Sequence, residues 1–327
     1  MTTLTVHRHL TEGYLQAALR ADVVEGLAGT PKRLRPVWFY DARGSELFEE
    51  ITRLPEYYPT RAEREVLTER AAEIAAASGA DTLVELGSGS SEKTRLLLGA
   101  LLAAGTLRRY VPVDVSETAL LAAAHGLRTE HPELAVHAVV ADFGQHLAEL
   151  PRGQRCLVAF LGSTIGNLPP AERFAFLAAV RAFLRPGDAL LLGTDLVKDP
   201  AVLVAAYDDA AGVTAQFNRN ILRVLNHELN ADFDPDAFTH VARWNAEREW
   251  VEMRLRSRQP QVVKLPGADL VVSFATGEEI RTEISAKFRL DGIRAELATA
   301  GFTLDCWWTD RAGRFGVSLS TVDGQGE

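Results

Sequence analysis

Cysteine is scarce in this chain: Cys156 and Cys306 are the two in 327 residues. Two cysteines cannot build a disulfide scaffold, and their separation leaves no Cys-x-x-Cys pair for zinc or redox work. They read as reduced core thiols. No apolar run reaches the ~18 residues that a membrane-spanning helix needs, so no membrane partner is expected. Excess positive charge is also missing, with Lys plus Arg at 35 against Asp plus Glu at 44 and a formal net charge of −9. A chain of that sign lacks the electrostatic footprint of a phosphate-backbone binder, which excludes nucleic acid as a partner. The N-terminal MTTLTVHRHLTEGYLQ has no apolar h-region, so no secretory signal is read and the expected location is the cytoplasm. The 8 histidines show no metal-ligand spacing, His7-x-His9 being a weak pair, and no metal is expected.

What is present is ordinary globular composition, 47% hydrophobic and 24% charged, which argues against extended disorder. The length suits about two domains. Apolar runs at Thr82 to Leu86, Arg109 to Asp114, Leu134 to Val140, Cys156 to Leu161 and Ala189 to Leu192 alternate with helical patterns. Such alternation predicts βαβ units and a parallel sheet. Near the C-terminus a helix at Leu290 to Ala300 precedes strands at Phe302 to Thr309 and Phe315 to Thr321, with a short polar turn between them. A tight turn requires antiparallel strands. Five parallel strands closed by an antiparallel hairpin is the α/β sheet of class I methyltransferases, a Rossmann-like arrangement. Residues 1–60 and 198–285 break the alternation and are assigned to a second α+β substrate-binding domain. Residues 61–197 and 286–327 make up the methyltransferase domain.

The segment Glu85-Leu86-Gly87-Ser88-Gly89-Ser90-Ser91-Glu92-Lys93-Thr94 follows the first of these strands and opens a helix. Glycines there allow a tight turn and close approach of the backbone to a ligand. Asp114 ends the next strand, where a carboxylate accepts hydrogen bonds from ribose hydroxyls. A dinucleotide fingerprint requires glycine at position 92, and so does a P-loop; Glu92 fits neither. A carboxylate in the first helical turn disfavours a pyrophosphate and tolerates a cationic ligand. S-adenosylmethionine, a sulfonium without phosphate, fits that turn. Asp142 and Phe143, after the third strand, are assigned to its adenine.

The next loop reads Gly162-Ser163-Thr164-Ile165-Gly166-Asn167-Leu168-Pro169-Pro170. Asn167 offers an acceptor and donors to an amine or carboxylate. Nucleic-acid amino-methyltransferases carry an aromatic residue after the second proline, and Ala171 stands there instead, so no platform for a flipped base exists.

Across the chain, WFYDARGSELFEEITRLPEYYPTRAE, LVELGSGSSEKTR, FLGSTIGNL, LLLGTDLVKD, YDDAAGVTAQFNRN, HVARWN, TEISAKF and WWTD closely resemble the histidine N-alpha-methyltransferases of ergothioneine biosynthesis, from about residue 30 to residue 320. The resemblance implies transfer of three methyl groups from S-adenosylmethionine to the α-amine of L-histidine, giving hercynine. It implies that Gly87, Lys93, Asp114, Asp142 and Phe143 bind the cofactor. It assigns histidine to Tyr57, Asn167, Tyr207, Met253, Glu283, Ile284 and Ser285, with Asn167 and Tyr40 at the reacting amine. Met253 is expected to line the imidazole side, and the chain is expected to act as a monomer.

Residue chemistry agrees with these roles. Tyrosine hydroxyls and an asparagine amide can hold a carboxylate and an amine without a competing charge. Glu283 and Ser285, two apart in an extended segment, point the same way and can clamp two ring nitrogens. A carboxylate facing the ring also favours a doubly hydrogen-bonded imidazole. Methyl transfer to an amine asks mainly for alignment, and an α-amine of pKa about 8 needs no strong base.

Other readings compete. Glu283 and Lys287 could pair one helical turn apart on a solvated face. Tyr57 could be a packing residue, and Thr60-x-x-Glu63 reads as a capping box without chemistry. An α-N-methyltransferase of another aromatic amino acid, such as tryptophan, is the nearest alternative activity. A nucleotide-sensing module and a NAD-dependent oxidoreductase are further ones.

Overall fold

The structure, a computed structural model, describes residues 4–89 and 93–322. Glu92, on which the cofactor argument above leans, lies outside the described residues. The chain divides into two compact units. The first comprises Met1–Thr11, Arg61–Leu196 and Phe288–Glu327, and the second Glu12–Thr60 and Val197–Lys287.

In chain order the strands are β1 (Leu4–Arg8), β2 (Lys32–Arg33), β3 (Thr82–Leu86), β4 (Arg109–Asp114), β5 (Ala135–Val140), β6 (Cys156–Phe160) and β7 (Ala189–Asp195). They continue as β8 (Phe238–Asn245), β9 (Trp250–Ser257), β10 (Gln261–Leu265), β11 (Leu270–Phe274), β12 (Glu279–Ala286), β13 (Thr303–Thr309) and β14 (Phe315–Thr321). The first unit is built on one eight-stranded sheet of order β1-β5-β4-β3-β6-β7-β14-β13. Strands β1 through β7 of that sheet run parallel, while β14 is antiparallel to both β7 and β13. Strands β3, β6 and β7 are buried along their whole length, which is why their sequences are unbroken apolar runs rather than alternating ones.

One expectation is corrected here. Residues 1–60 do not all belong to the second unit, because Leu4–Arg8 pairs in parallel with Ala135–Val140 and extends the sheet. The alternating Leu4-Thr5-Val6-His7-Arg8 covers the exposed edge of β5, a contact that sequence separation hides. The sheet therefore has a sixth parallel strand beyond the five expected. Chain order reverses beside β3, with β4 on one side and β6 on the other. Ligands of open α/β sheets bind outside the carboxyl ends of the strands at such a point.

The second unit holds a four-stranded sheet, β2-β12-β9-β8, and the separate hairpin β10-β11. Helix Ala42–Arg53 is capped by Asp41, whose Oδ1 accepts from the Gly44 N–H at 2.7 Å. The same oxygen accepts from Asn220 Nδ2 at 2.7 Å and so joins that helix to helix Val213–Leu229. Strands β9 and β12 slip register between Arg281 and Glu283.

Both cysteines are free; burial raises the thiol pKa of each, which suits inert packing groups. Among the described residues no helix is long and apolar enough to cross a membrane. The start of β6 hangs on Asp188, which is 1% exposed. Its carboxylate accepts from Cys156 N at 2.7 Å, Arg185 N at 2.8 Å and Arg152 Nη2 at 2.6 Å. Replacing Asp188 by Ala strands these donors, so the urea midpoint should fall by the equivalent of about 3 kcal/mol. An unchanged midpoint would remove Asp188 as the anchor of this strand.

Candidate functional site

In the first unit, Gly87 and Gly89 take left-handed φ values of 68° and 48°, which side-chain-bearing residues adopt only with strain. The Gly87 and Ser88 N–H groups both donate to Val113 O, at 2.9 and 3.2 Å. Gly89 N–H donates to Asp114 Oδ2 at 3.0 Å, and Ser116 N–H donates to Asp114 Oδ1 at 2.9 Å. The half-buried carboxylate is thereby aimed by two backbone amides and keeps lone pairs for a ligand. A Cβ built on Gly89 meets no atom of the described residues within 4 Å. Ser88 Oγ is buried with no hydrogen-bond partner among the described residues. Below the turn, buried Glu85 accepts from Thr94 Oγ1 and from the Tyr110 hydroxyl, locking the helix start to the strand ends.

Asp142 caps the turn after β5, its Oδ1 accepting from Gly144 N–H at 2.8 Å. The Phe143 ring stands edge-on to Phe160 at 5.4 Å and to Phe176 at 6.0 Å. A Cβ at Gly87 would lie 3.9 Å from Phe143 Cε1, so the glycine turn and the aromatic are neighbours. Asn167 ends the short 3-10 turn Thr164–Asn167 and is half-buried. The turn is entered through Ser163, itself left-handed, whose Oγ accepts from Asp195 N–H at 2.9 Å.

Sequence reasoning missed Glu63. It is fully buried. Its two oxygens accept from Lys93 Nζ and, at 2.7 Å, from Gly162 N–H. One carboxylate thus ties the cofactor turn to the loop that carries Asn167, which corrects the reading of Glu63 as capping chemistry alone. A Cβ at Gly193 would fall 2.2 Å from Glu63 Oε1, so only glycine leaves room for it. The pairing also neutralises Lys93, the cation that a P-loop would offer to phosphates. This supports a phosphate-free cofactor by a route independent of Glu92. A tight glycine turn, an oriented carboxylate, an aromatic neighbour and a buried hydroxyl unpaired among the described residues together suit an adenosyl group with ribose hydroxyls.

In the second unit, β12 puts Glu283 and Ser285 on one face, with Met253 paired opposite Glu283 across β9. Strand geometry excludes the alternative helical pairing of Glu283 with Lys287. Ile284, expected beside Glu283 and Ser285, points to the opposite face, so its side chain is not brought together with theirs. Tyr207 ends helix Pro200–Tyr207 and donates to Ser285 Oγ at 2.7 Å. Lys287 is 3% exposed; its Nζ donates to Tyr207 Oη at 2.9 Å and to Ser285 Oγ at 2.8 Å.

Tyr57 stands edge-on to Tyr207 at 6.4 Å and to Phe48 at 6.2 Å. Tyr40, 44% exposed, packs on Phe48 and Phe217, both at 5.6 Å. The rings from Tyr40 to Tyr207 form one connected series. Behind Tyr207, His240 Nε2 lies 2.8 Å from Tyr207 O, and His240 Nδ1 lies 2.8 Å from Asn218 Nδ2. Asn218 Oδ1 in turn accepts from Thr282 Oγ1 at 2.6 Å. The donors and acceptors match if Nε2 carries the proton of a neutral ring. Sequence analysis considered Lys287 only as a helical partner of Glu283, and did not find this polar chain. For Lys287 the available signal was its two-residue spacing from Ser285; for His240 and Asn218, far apart in sequence, there was none. Among the described residues no group of three or more His, Cys, Asp or Glu side chains is arranged to hold a metal ion.

A sheet in which β14 inserts antiparallel between β7 and β13, with a glycine turn and an oriented acid at the carboxyl ends of β3 and β4, defines a class I S-adenosylmethionine-dependent methyltransferase. The chain belongs to the family of histidine-specific, S-adenosylmethionine-dependent methyltransferases, whose model matches residues 19–322. It is 59% identical to a histidine N-alpha-methyltransferase of Mycobacterium tuberculosis, over 97% of this chain and 99% of that one. It is 32% identical to ergothioneine biosynthesis protein 1 of Neurospora crassa, over 85% of this chain and 32% of that longer protein. Among solved structures it is similar to an S-adenosylmethionine-dependent methyltransferase from Clostridium acetobutylicum, with a TM-score of 0.48, 12% identity and coverage of 85% of this chain and 99% of that one.

Burial depresses the pKa of His240, with Arg219 adding to the effect against the opposing Tyr207 carbonyl and Asp208. The stability that the neutral ring contributes is complete above the unfolded value of about 6.5. It is lost as pH falls from there toward the depressed folded value. Urea midpoints should therefore drop between about pH 7.5 and 5.5, and the drop should shrink in His240→Gln. Equal drops in both proteins would show that His240 is not buried neutral.

Proposed function

We propose that this chain transfers three methyl groups in succession from S-adenosylmethionine to the α-amine of L-histidine. The product is N-alpha,N-alpha,N-alpha-trimethyl-L-histidine, hercynine, and the reaction is the first step of ergothioneine biosynthesis. The observation that carries this reading is the 59% identity, over nearly the whole of both chains, to a protein named for that activity. The Neurospora relative's name supports the ergothioneine context.

When bound, S-adenosylmethionine supplies an electrophilic methyl group on its sulfonium. In the first unit, Gly87 and Lys93 shape the turn that receives it, Asp114 accepts its ribose hydroxyls, and Asp142 and Phe143 meet its adenine. Asn167 offers its amide to the substrate amine. In the second unit, Tyr57 and Tyr207 hold the amino-acid end of histidine, with Tyr40 toward the amine. Glu283 and Ser285 take the two ring nitrogens and Met253 lines the ring. The side chain of Ile284 has no part in this arrangement. The amine reacts only while it keeps a lone pair, so the trimethyl form ends the series.

Tryptophan is the rival substrate. Its indole has one donor and no acceptor, and cannot use a carboxylate and a hydroxyl together. Mass spectrometry of histidine incubated with enzyme and S-adenosylmethionine should show the mono-, di- and trimethyl series, with every methyl on the α-nitrogen by NMR. Methyl on a ring nitrogen would overturn the substrate orientation.

Two substitutions separate the roles. Asp114→Ala should weaken calorimetric binding of S-adenosylhomocysteine at least tenfold, about 1.4 kcal/mol, since a charge-assisted hydrogen bond is worth about 1.5–3 kcal/mol. Unchanged affinity would put the cofactor elsewhere. Glu283→Ala should cost histidine about 2–4 kcal/mol in kcat/KM and leave S-adenosylhomocysteine affinity within about twofold. Tryptophan should then be methylated relatively better, because the pocket is larger and uncharged. Collapse of cofactor binding with histidine turnover intact would reverse the assignment.

A further inference from the structure

Ser285 is hydrogen-bonded in an unusually determinate way. Its Oγ receives two donors, the Tyr207 hydroxyl at 2.7 Å and Lys287 Nζ at 2.8 Å. A serine oxygen has two acceptor lone pairs, and both are taken. The Ser285 hydroxyl hydrogen must then point to a third group. Lys287 takes one of those lone pairs, and the same Nζ also donates to Tyr207 Oη at 2.9 Å and lies 4.7 Å from the Tyr207 ring centre. Of the two hydroxyls the Tyr207 phenol is the stronger acid, so it is the donor in the bond to Ser285.

We propose that Lys287 is a positioning residue that holds Ser285 as a hydrogen-bond donor and so selects the neutral imidazole of the substrate, in one tautomer. The inference rests on the assignment of Glu283 and Ser285 to the two ring nitrogens. An ionised Glu283 only accepts, so the nitrogen facing it must carry a proton. Ser285 only donates outward, so the nitrogen facing it must present a lone pair. An imidazolium, with N–H on both nitrogens, would set one N–H against the Ser285 hydroxyl hydrogen and add a cation beside Lys287. A carboxylate facing the ring would by itself raise the imidazole pKa, and the outward donor at Ser285 opposes that.

Other ionisable groups stand around this cluster. His240, behind Tyr207, is held neutral by burial and serves the Tyr207 carbonyl. Asp208 Oδ1 lies 3.8 Å from His240 Nε2. Glu249 meets the Lys287 backbone N–H through its own carbonyl at 2.7 Å. Glu252 pairs in register with Ile284 and binds Trp250 and Arg254 on the opposite face of the sheet. Tyr57 reaches Tyr207 edge-on through its ring.

The test compares histidine with β-(1,2,4-triazol-3-yl)alanine, which has nitrogens at both imidazole positions and a ring that stays neutral through this pH range. Both are assayed for kcat/KM between about pH 7.5 and 5.5, and the α-amine contribution cancels in their ratio. With an imidazole pKa of about 6.5, the triazole-to-histidine ratio should rise about tenfold as pH falls across that range. In Lys287→Met the Ser285 lone pair is released, so the rise should fall below about threefold, while Lys287→Arg should keep it.

Ser285→Ala removes the outward donor and should flatten the ratio in the same way, which covers a Lys287→Met protein that fails to bind S-adenosylhomocysteine. A flat ratio in the wild-type chain with brisk histidine turnover would overturn the selection of the neutral ring and leave the histidine activity standing. A tenfold rise that persists in both Lys287→Met and Ser285→Ala would also overturn it. No histidine turnover at any pH would sink the histidine reading itself, and this inference with it.

Discussion

A carboxylate with no access to water organises the first unit. Burying Glu63 costs several kcal/mol unless its oxygens are fully partnered, and the fold supplies Lys93 and the Gly162 amide for that purpose. Those partners sit on the two loops that flank the carboxyl ends of β3 and β6. Satisfying one buried charge therefore fixes the relative position of the cofactor turn and the Asn167 loop. It also dictates glycine at position 193, where any Cβ would displace the carboxylate. The same pairing agrees with a cofactor that carries no phosphate, because a lysine already paired offers little to one.

The second unit shows the same logic with hydrogen bonds in place of a buried acid. Tyr207, Ser285 and Lys287 form a closed triangle, and His240, Asn218 and Thr282 form a chain behind it. Each member's donor or acceptor role is set by its neighbours. Such networks rigidify when every group is satisfied and are costly when one is not. On the proposed assignment, such a surface has its polarity written in advance, with an acceptor at Glu283 and a donor at Ser285. A site of that polarity would select a ring that needs one of each.

The strand and helix pattern of the first unit was readable from periodicity, with β3, β4 and β14 ending where the apolar runs end. Gly87, Gly89 and Asp114 were readable because turn chemistry and strand-end acids are local signals. Strand β1 was not, since a five-residue alternating segment says nothing about which distant edge it will cover. The resemblance to known methyltransferases named Glu283, Ser285 and Tyr207 without saying how they are held. It also named Ile284, whose side chain the strand pleat turns away from the other two.

By itself, then, the sequence determined the class of sheet and the glycine turn with its strand-end acid, because these depend on neighbours within a few residues. Only the tertiary structure decided that Glu63 is a buried tie and that Lys287 is hydrogen-bonded to Ser285 and Tyr207. The reason is physical: a buried charge acquires its role from the partners that surround it. For Glu63 these partners are Lys93 and Gly162, on separate loops; for the Lys287 cluster Tyr207 comes from a helix far away in sequence, and folding is what brings them within hydrogen-bond reach.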